Sequence, residues 1–71
     1  MFAVDSELAD WIGLIRSEYL ESPGLSLTRP QVQRLWSVEP SICDAVLEAL
    51  MAAGFLRQMR NGLYVRADAD P

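Results

Sequence analysis

Proline and glycine cut this chain into short pieces, and where they cut leaves little choice of fold. Breaks at Pro23-Gly24, Pro30, Pro40, Gly54 and Asn61-Gly62 make the first piece, residues 1–22, the longest. There Leu8, Trp11, Ile12, Ile15 and Tyr19 recur at steps of three and four, the period of a helix with one buried stripe. Asp5 or Ser6 is the expected N-cap, with Asp5, Glu7 and Asp10 placed favourably for the helix dipole, and the helix is expected to end near Leu20. Glu21-Ser22-Pro23-Gly24 stops it, because proline disfavours helix in the residue before it.

Leu25-Ser26-Leu27 alternates and reads as a brief strand. Thr28 and Gln31 have the spacing of a capping box, in which each side chain satisfies a free amide of the other. A second helix of about two turns is expected from there, with Pro30 in its first turn and Val32, Leu35 and Trp36 on its apolar face. Ser37-Val38-Glu39 forms a turn. Pro40 opens a third helix reaching about Ala53, with Gly54 as its C′ residue and Cys43, Val46, Leu47 and Leu50 as its inner stripe. Two apolar-rich runs flank Asn61-Gly62, a strong hairpin signal. Ala67 to Pro71 has nothing to bury and is expected to fray. The expected class is mainly α with a small β-hairpin, in the order α-β-α-α-β-β, as one domain over residues 1–71 with its core in about 5–66.

Composition narrows the function. A chain of 71 residues buries only about 60 % of the surface it exposes when unfolded. With one cysteine, packing and not an internal disulfide must hold it. Trp11, Trp36, Phe55 and Tyr64 supply bulk for such a core. There is no histidine, so His/Cys zinc sites, Ser-His-Asp and Cys-His nucleophiles, and His acid/base chemistry are excluded. No spacing of acids suggests a carboxylate-only site, and Cys43 falls on an inner face as a small buried hydrophobe. The chain reads as non-enzymatic, with no cofactor and no metal. Its longest apolar run, Ala49 to Phe55, falls far short of the roughly 20 residues of a membrane span. No basic n-region opens the chain, and an unpaired cysteine suits a reducing cytoplasm, the expected location.

The order of elements resembles the winged helix-turn-helix superfamily over about residues 5–66. Leu27-Thr28, Val32, Leu35-Trp36, Val38, Ser41-Ile42-Cys43 and Val46-Leu47 fall at the spacing of helix-turn-helix units. Ser37 stands where many members have glycine. Gly54-Phe55-Leu56 through Val65-Arg66 looks like the wing.

The resemblance implies a transcription-associated, DNA-binding module, with the third helix in the major groove and the hairpin on the backbone or in the minor groove. The charge is uneven, and it divides the candidates. The net charge is −4, all six basic residues are arginines, and residues 54–66 carry Arg57, Arg60 and Arg66 with no acid. These three, with Arg29 and Arg34 on the second helix, Ser41 on the third and Asn61 at the hairpin tip, are the candidate contacts to duplex DNA. Against them, the outward face of the third helix, Ser41, Asp44, Ala45, Glu48 and Ala52, contains no base. Two carboxylates beside a polyanion cost affinity. Asp44 and Glu48 therefore define the alternative, an acidic protein-interaction module docking on a basic protein partner. The first reading expects the arginines in one positive rim; the second expects them dispersed or paired with acids. Leu14 and Leu20 fall off the stripe of the first helix, and Met1, Phe2 and Val4 have no place on it, which suits a homodimer formed through that helix.

Overall fold

The computed structural model describes residues 3–67 of the chain. Three helices precede a two-stranded antiparallel hairpin: α1 (Ala3–Glu21), α2 (Arg29–Trp36), α3 (Pro40–Ala52), β1 (Leu56–Gln58) and β2 (Tyr64–Arg66). No described helix is long and apolar enough to cross a membrane.

Helix α1 starts at Ala3, so positions 5 and 6, the expected N-cap, lie inside the helix and not at its start. Alanine has the highest intrinsic helix propensity, which favours carrying the helix back past the expected cap. Ile15 and Tyr19 of the stripe are buried, while Leu8, Trp11 and Ile12 pack against the core from its edge. Beyond Glu21 the chain turns through Pro23-Gly24, with the amide of Leu25 donating to the carbonyl of Ser22 at 2.8 Å.

The expected strand at Leu25–Leu27 is reduced to one bridge. The Leu27 amide donates to the Tyr64 carbonyl at 3.3 Å, and the Tyr64 amide returns a bond to the Leu27 carbonyl at 2.7 Å. Immediately afterwards the capping box takes over the backbone. The Gln31 amide donates to Thr28 Oγ1 at 3.3 Å, and the Thr28 amide donates to Gln31 Oε1 at 2.8 Å. This commits Thr28 to starting a helix, so no strand can extend through it.

In α2, Val32 is fully buried and Trp36 packs against the core, but Leu35 is 60 % exposed, against the expected inward face. Val32 and Trp36 are one turn apart and share a line down the helix, and an eight-residue helix resting on them turns Leu35 away. Ser37 ends α2 in the left-handed region, at φ 53° and ψ 45°, with its amide bonded to the Gln33 carbonyl.

Pro40 opens α3, and Cys43, Val46, Leu47 and Leu50 form its buried face as expected. Its C-terminus closes with two bonds, from the Phe55 amide to the Leu50 carbonyl at 2.9 Å and from the Gly54 amide to the Met51 carbonyl at 3.0 Å. Gly54 sits at φ 78°. This is the Schellman arrangement, in which a left-handed residue lets the chain reverse and satisfy the last free carbonyls.

The hairpin pairs Leu56 with Arg66, Arg57 with Val65 and Gln58 with Tyr64. Arg60-Asn61-Gly62 forms a three-residue loop closed by a bond from the Gly62 amide to the Met59 carbonyl at 2.9 Å and one from Met59 to Leu63 at 2.7 Å. Only Gly62 takes a positive φ, at 92°. Asn61 contributes its side chain instead, accepting from the Leu63 amide at 3.2 Å. Both positions of a two-residue turn would need positive φ; the type I turn with a glycine bulge needs it once. Ala67, expected to begin the fraying tail, donates its amide to the Phe55 carbonyl at 2.9 Å. The rest of that tail, 68–71, and the unplaced Met1 and Phe2 lie outside the described residues.

One core unites these elements: Ile15 and Tyr19 from α1, Val32 from α2, Val38 from the turn, four residues of α3, Leu56 from β1 and Tyr64 from β2. No polar or charged side chain is buried among the described residues.

Candidate nucleic-acid interface

The candidate residues lie on three surfaces, except Arg34, which stands apart at a groove beside the end of α2. On the first, at the start of α2, Arg29 places Nε 3.2 Å from Asp44 Oδ1 of α3, with both side chains about half exposed. That carboxylate oxygen is shielded from solvent and receives no aligned hydrogen bond, so the contact is one of charge with charge. The neighbouring Tyr64 phenol, and secondarily the Asp44 carboxylate, hold the Arg29 guanidinium above its ordinary range. Arg29 thus faces a carboxylate of its own chain. Beside them the Cys43 thiol is raised by burial and then by the Asp44 charge, and it points at the Arg29 carbonyl from 3.9 Å. It is a packed side chain and not an activated thiol.

The second surface is the outer side of α3. Ser41 and Glu48 are exposed and Asp44 is partly so, with Asp44 and Glu48 one turn apart. The helix contains no basic residue from Pro40 to Ala52. Seen from solvent, the face is acidic, and Arg29 at its edge offsets one of the two charges.

The third surface is the hairpin, where strand geometry separates arginines that are close in sequence. Side chains alternate across a strand and paired residues share a face, so Arg66 lies with Leu56 on the core side while Arg57 lies with Val65 on the other. Arg57 and Arg66 are both half-buried. Arg60 and Asn61 are exposed at the tip. Arg34, at the end of α2, is exposed beside an open groove that it lines with Leu27, Gln31 and Leu35.

Arg66 does not act alone on its face. Its guanidinium carbon lies 5.4 Å from the centroid of the Phe55 ring, and Arg16 of α1 lies over the same ring at 5.2 Å. Two cations on one ring tie the first helix to the last strand, each at a distance where a cation–π attraction of about 0.5–1 kcal/mol is usual. Arg16 is not among the candidate contacts read from the sequence, and Phe55 enters there as core bulk and as part of the wing. The spacing held a signal: Arg16 is four residues beyond Ile12 and three before Tyr19, at the border of the buried stripe.

The structure therefore brings Arg29 to Asp44 and Arg66 to Phe55, and it sets Arg57 and Arg66 on opposite sides of the hairpin. Among the described residues, no three His, Cys, Asp or Glu gather as a metal site. Comparison of the chain with protein-family models, with curated proteins and with solved structures returns no match.

Proposed function

We propose that this chain is a non-enzymatic winged helix-turn-helix module, transcription-associated in kind, which works by binding a basic partner protein through the outer face of α3. The winged-helix reading draws on element order: a capped α2, the three-residue turn Ser37-Val38-Glu39, α3 and then the hairpin. The left-handed Ser37 supports it too, because that turn position suits a residue tolerant of positive φ. The choice of partner rests on one observation. Asp44 and Glu48 stand one turn apart on a helix without a base, and the arginine nearest to them is already held against Asp44. A helix that reads a major groove needs donors for purine edges and cations for phosphates. This one offers acceptors, which suit arginines and lysines of another protein.

A second reading is favoured by the hairpin, where residues 54–66 carry three arginines and no acid. In it, duplex DNA is contacted through the backbone, with Arg60 and Asn61 at the tip leading.

One titration separates the two. Fluorescent duplex DNA and, in parallel, a fluorescent arginine-rich peptide are added at low and at moderate salt. The proteins are the native chain, an Arg57→Ala/Arg60→Ala variant and an Asp44→Asn/Glu48→Gln variant. The first reading expects the peptide to bind the native chain and to be lost with the acid variant, and DNA not to bind even at low salt. DNA binding that weakens with salt and disappears with the hairpin variant would overturn it in favour of the second.

A further inference from the structure

Among the exposed apolar side chains that the functional reading does not use, which include Met51 and Met59, those on α1 and α2 stand beside charged groups. On α1, Asp10, Leu14, Ser17 and Glu21 follow one another at steps of four, three and four and all face solvent, with Leu20 beside them. Leu14 and Leu20 are 41 % and 43 % exposed. On α2, the 60 % exposed Leu35 borders the groove it shares with Leu27, Gln31 and Arg34.

Charge decides how these surfaces can be covered. The α1 stripe has a carboxylate at each end, so two such stripes laid side by side oppose acid to acid, antiparallel or parallel. The one base of α1, Arg16, is turned onto Phe55 and does not relieve this. Simple self-pairing of α1 is therefore disfavoured. The stripe calls for a surface with an exposed leucine next to a cation, and the α2 groove is such a surface. Arg34 stands at its edge without a carboxylate in ion-pair range among the described residues.

We propose that the occupant of the α2 groove is a second copy of this chain. Leu20 at the end of α1 of one copy seats against Leu27 and Leu35 of the other, and Glu21 meets Arg34. Both surfaces belong to the same chain, and in the proposed assembly a two-fold axis relates the copies, so that the contact is made twice and closes as a dimer. The inference is independent of the α3 face.

The test is sedimentation equilibrium of the full chain from about 1 µM to about 1 mM, a range that covers weak to moderate dimers. Four variants accompany it: Leu35→Ser, Glu21→Arg, Arg34→Glu and the charge swap Glu21→Arg/Arg34→Glu. All the substituted residues are exposed, and thermal unfolding of each variant confirms that the fold survives. The expected result is a concentration-dependent dimer whose dissociation constant rises about tenfold or more in Leu35→Ser. It rises in each single charge variant and returns towards the native value in the swap. A chain that stays monomeric at every concentration overturns the proposal, as does an open-ended series of oligomers or a dimer indifferent to Leu35→Ser. Single charge variants that weaken the dimer without recovery in the swap remove the Glu21–Arg34 pairing.

Discussion

The hydroxyl of Tyr19 donates a buried hydrogen bond to the backbone carbonyl of Tyr64 at 2.8 Å, joining residues 45 positions apart. The same carbonyl accepts from the Leu27 amide at 3.3 Å. One oxygen thus connects α1, the segment before α2 and the hairpin. Tyr19 is fully buried and Tyr64 nearly so, which makes the bond hard to replace with water.

Removing that hydroxyl tests its weight. Tyr19→Phe keeps the ring and leaves the Tyr64 carbonyl with its longer bond to Leu27. A loss of about 1–2 kcal/mol is expected in urea unfolding. A change within a few tenths would show that the carbonyl finds another donor.

The same group sets an alkaline limit. Burial, with a smaller contribution from Tyr64, pushes the Tyr19 phenol from 10.0 up to about 12. The folded state therefore holds this proton more tightly than the unfolded state does. Its stabilisation is fully present below pH 10 and is lost as pH rises through about 12. A decline of roughly 2–3 kcal/mol over that window is expected in the native chain. The part due to Tyr19 should be missing from Tyr19→Phe, and an identical decline in the variant would assign it to other groups.

Two backbone positions respond in opposite directions. Ser37 holds a left-handed conformation that glycine adopts without strain, so Ser37→Gly should raise stability by about 0.5–1 kcal/mol and Ser37→Val should lower it. Gly54, at φ 78° with open space where a Cβ would stand, should lose about 1 kcal/mol as alanine from backbone strain alone. Thermal unfolding of the three variants checks both signs.

The Arg29–Asp44 pair is half exposed, and a double-mutant cycle with Arg29→Ala and Asp44→Ala should return a coupling below about 1 kcal/mol that shrinks as salt is added. Coupling that is larger and insensitive to salt would mean that the shielded Asp44 oxygen controls the pair.

Cys43 is buried, and burial raises its thiol, so iodoacetamide should not modify the folded chain at neutral pH. Alkylation should follow urea unfolding with the same midpoint as the far-ultraviolet signal. Rapid modification without denaturant would mean that α3 opens locally.

Features written in adjacent residues were readable from the sequence. Thr28 and Gln31 make the expected capping box, Gly54 takes the expected C′ position, and the four inner residues of α3 are all buried. Each depends on spacing along one helix, which a single sequence displays. What was hidden depends on partners far along the chain. Leu35 has the right spacing for the inner face of α2, but a two-turn helix settles on Val32 and Trp36, and only its neighbours decide that. The Leu25–Leu27 segment alternates like a strand, yet the capping box that follows limits it to one bridge with Tyr64. Among the candidate contacts, the run of arginines in 54–66 was visible as composition. The pairing of Arg29 with Asp44, and the meeting of Arg16 with Arg66 over Phe55, come from tertiary packing of residues that no local pattern links.

The Tyr19–Tyr64 bond also has a consequence for synthesis. A chain made from its N-terminus has all three helices complete before Tyr64 exists, and until then Tyr19 has no acceptor and Leu27 no bridge. The nascent helices can associate loosely, but the hydrogen bond that ties α1 to the hairpin and to the segment before α2 is supplied only when β2 has been made. A chain cut short before the hairpin should therefore remain an open helical intermediate with exposed apolar surface, the kind of species that chaperones and proteases act upon.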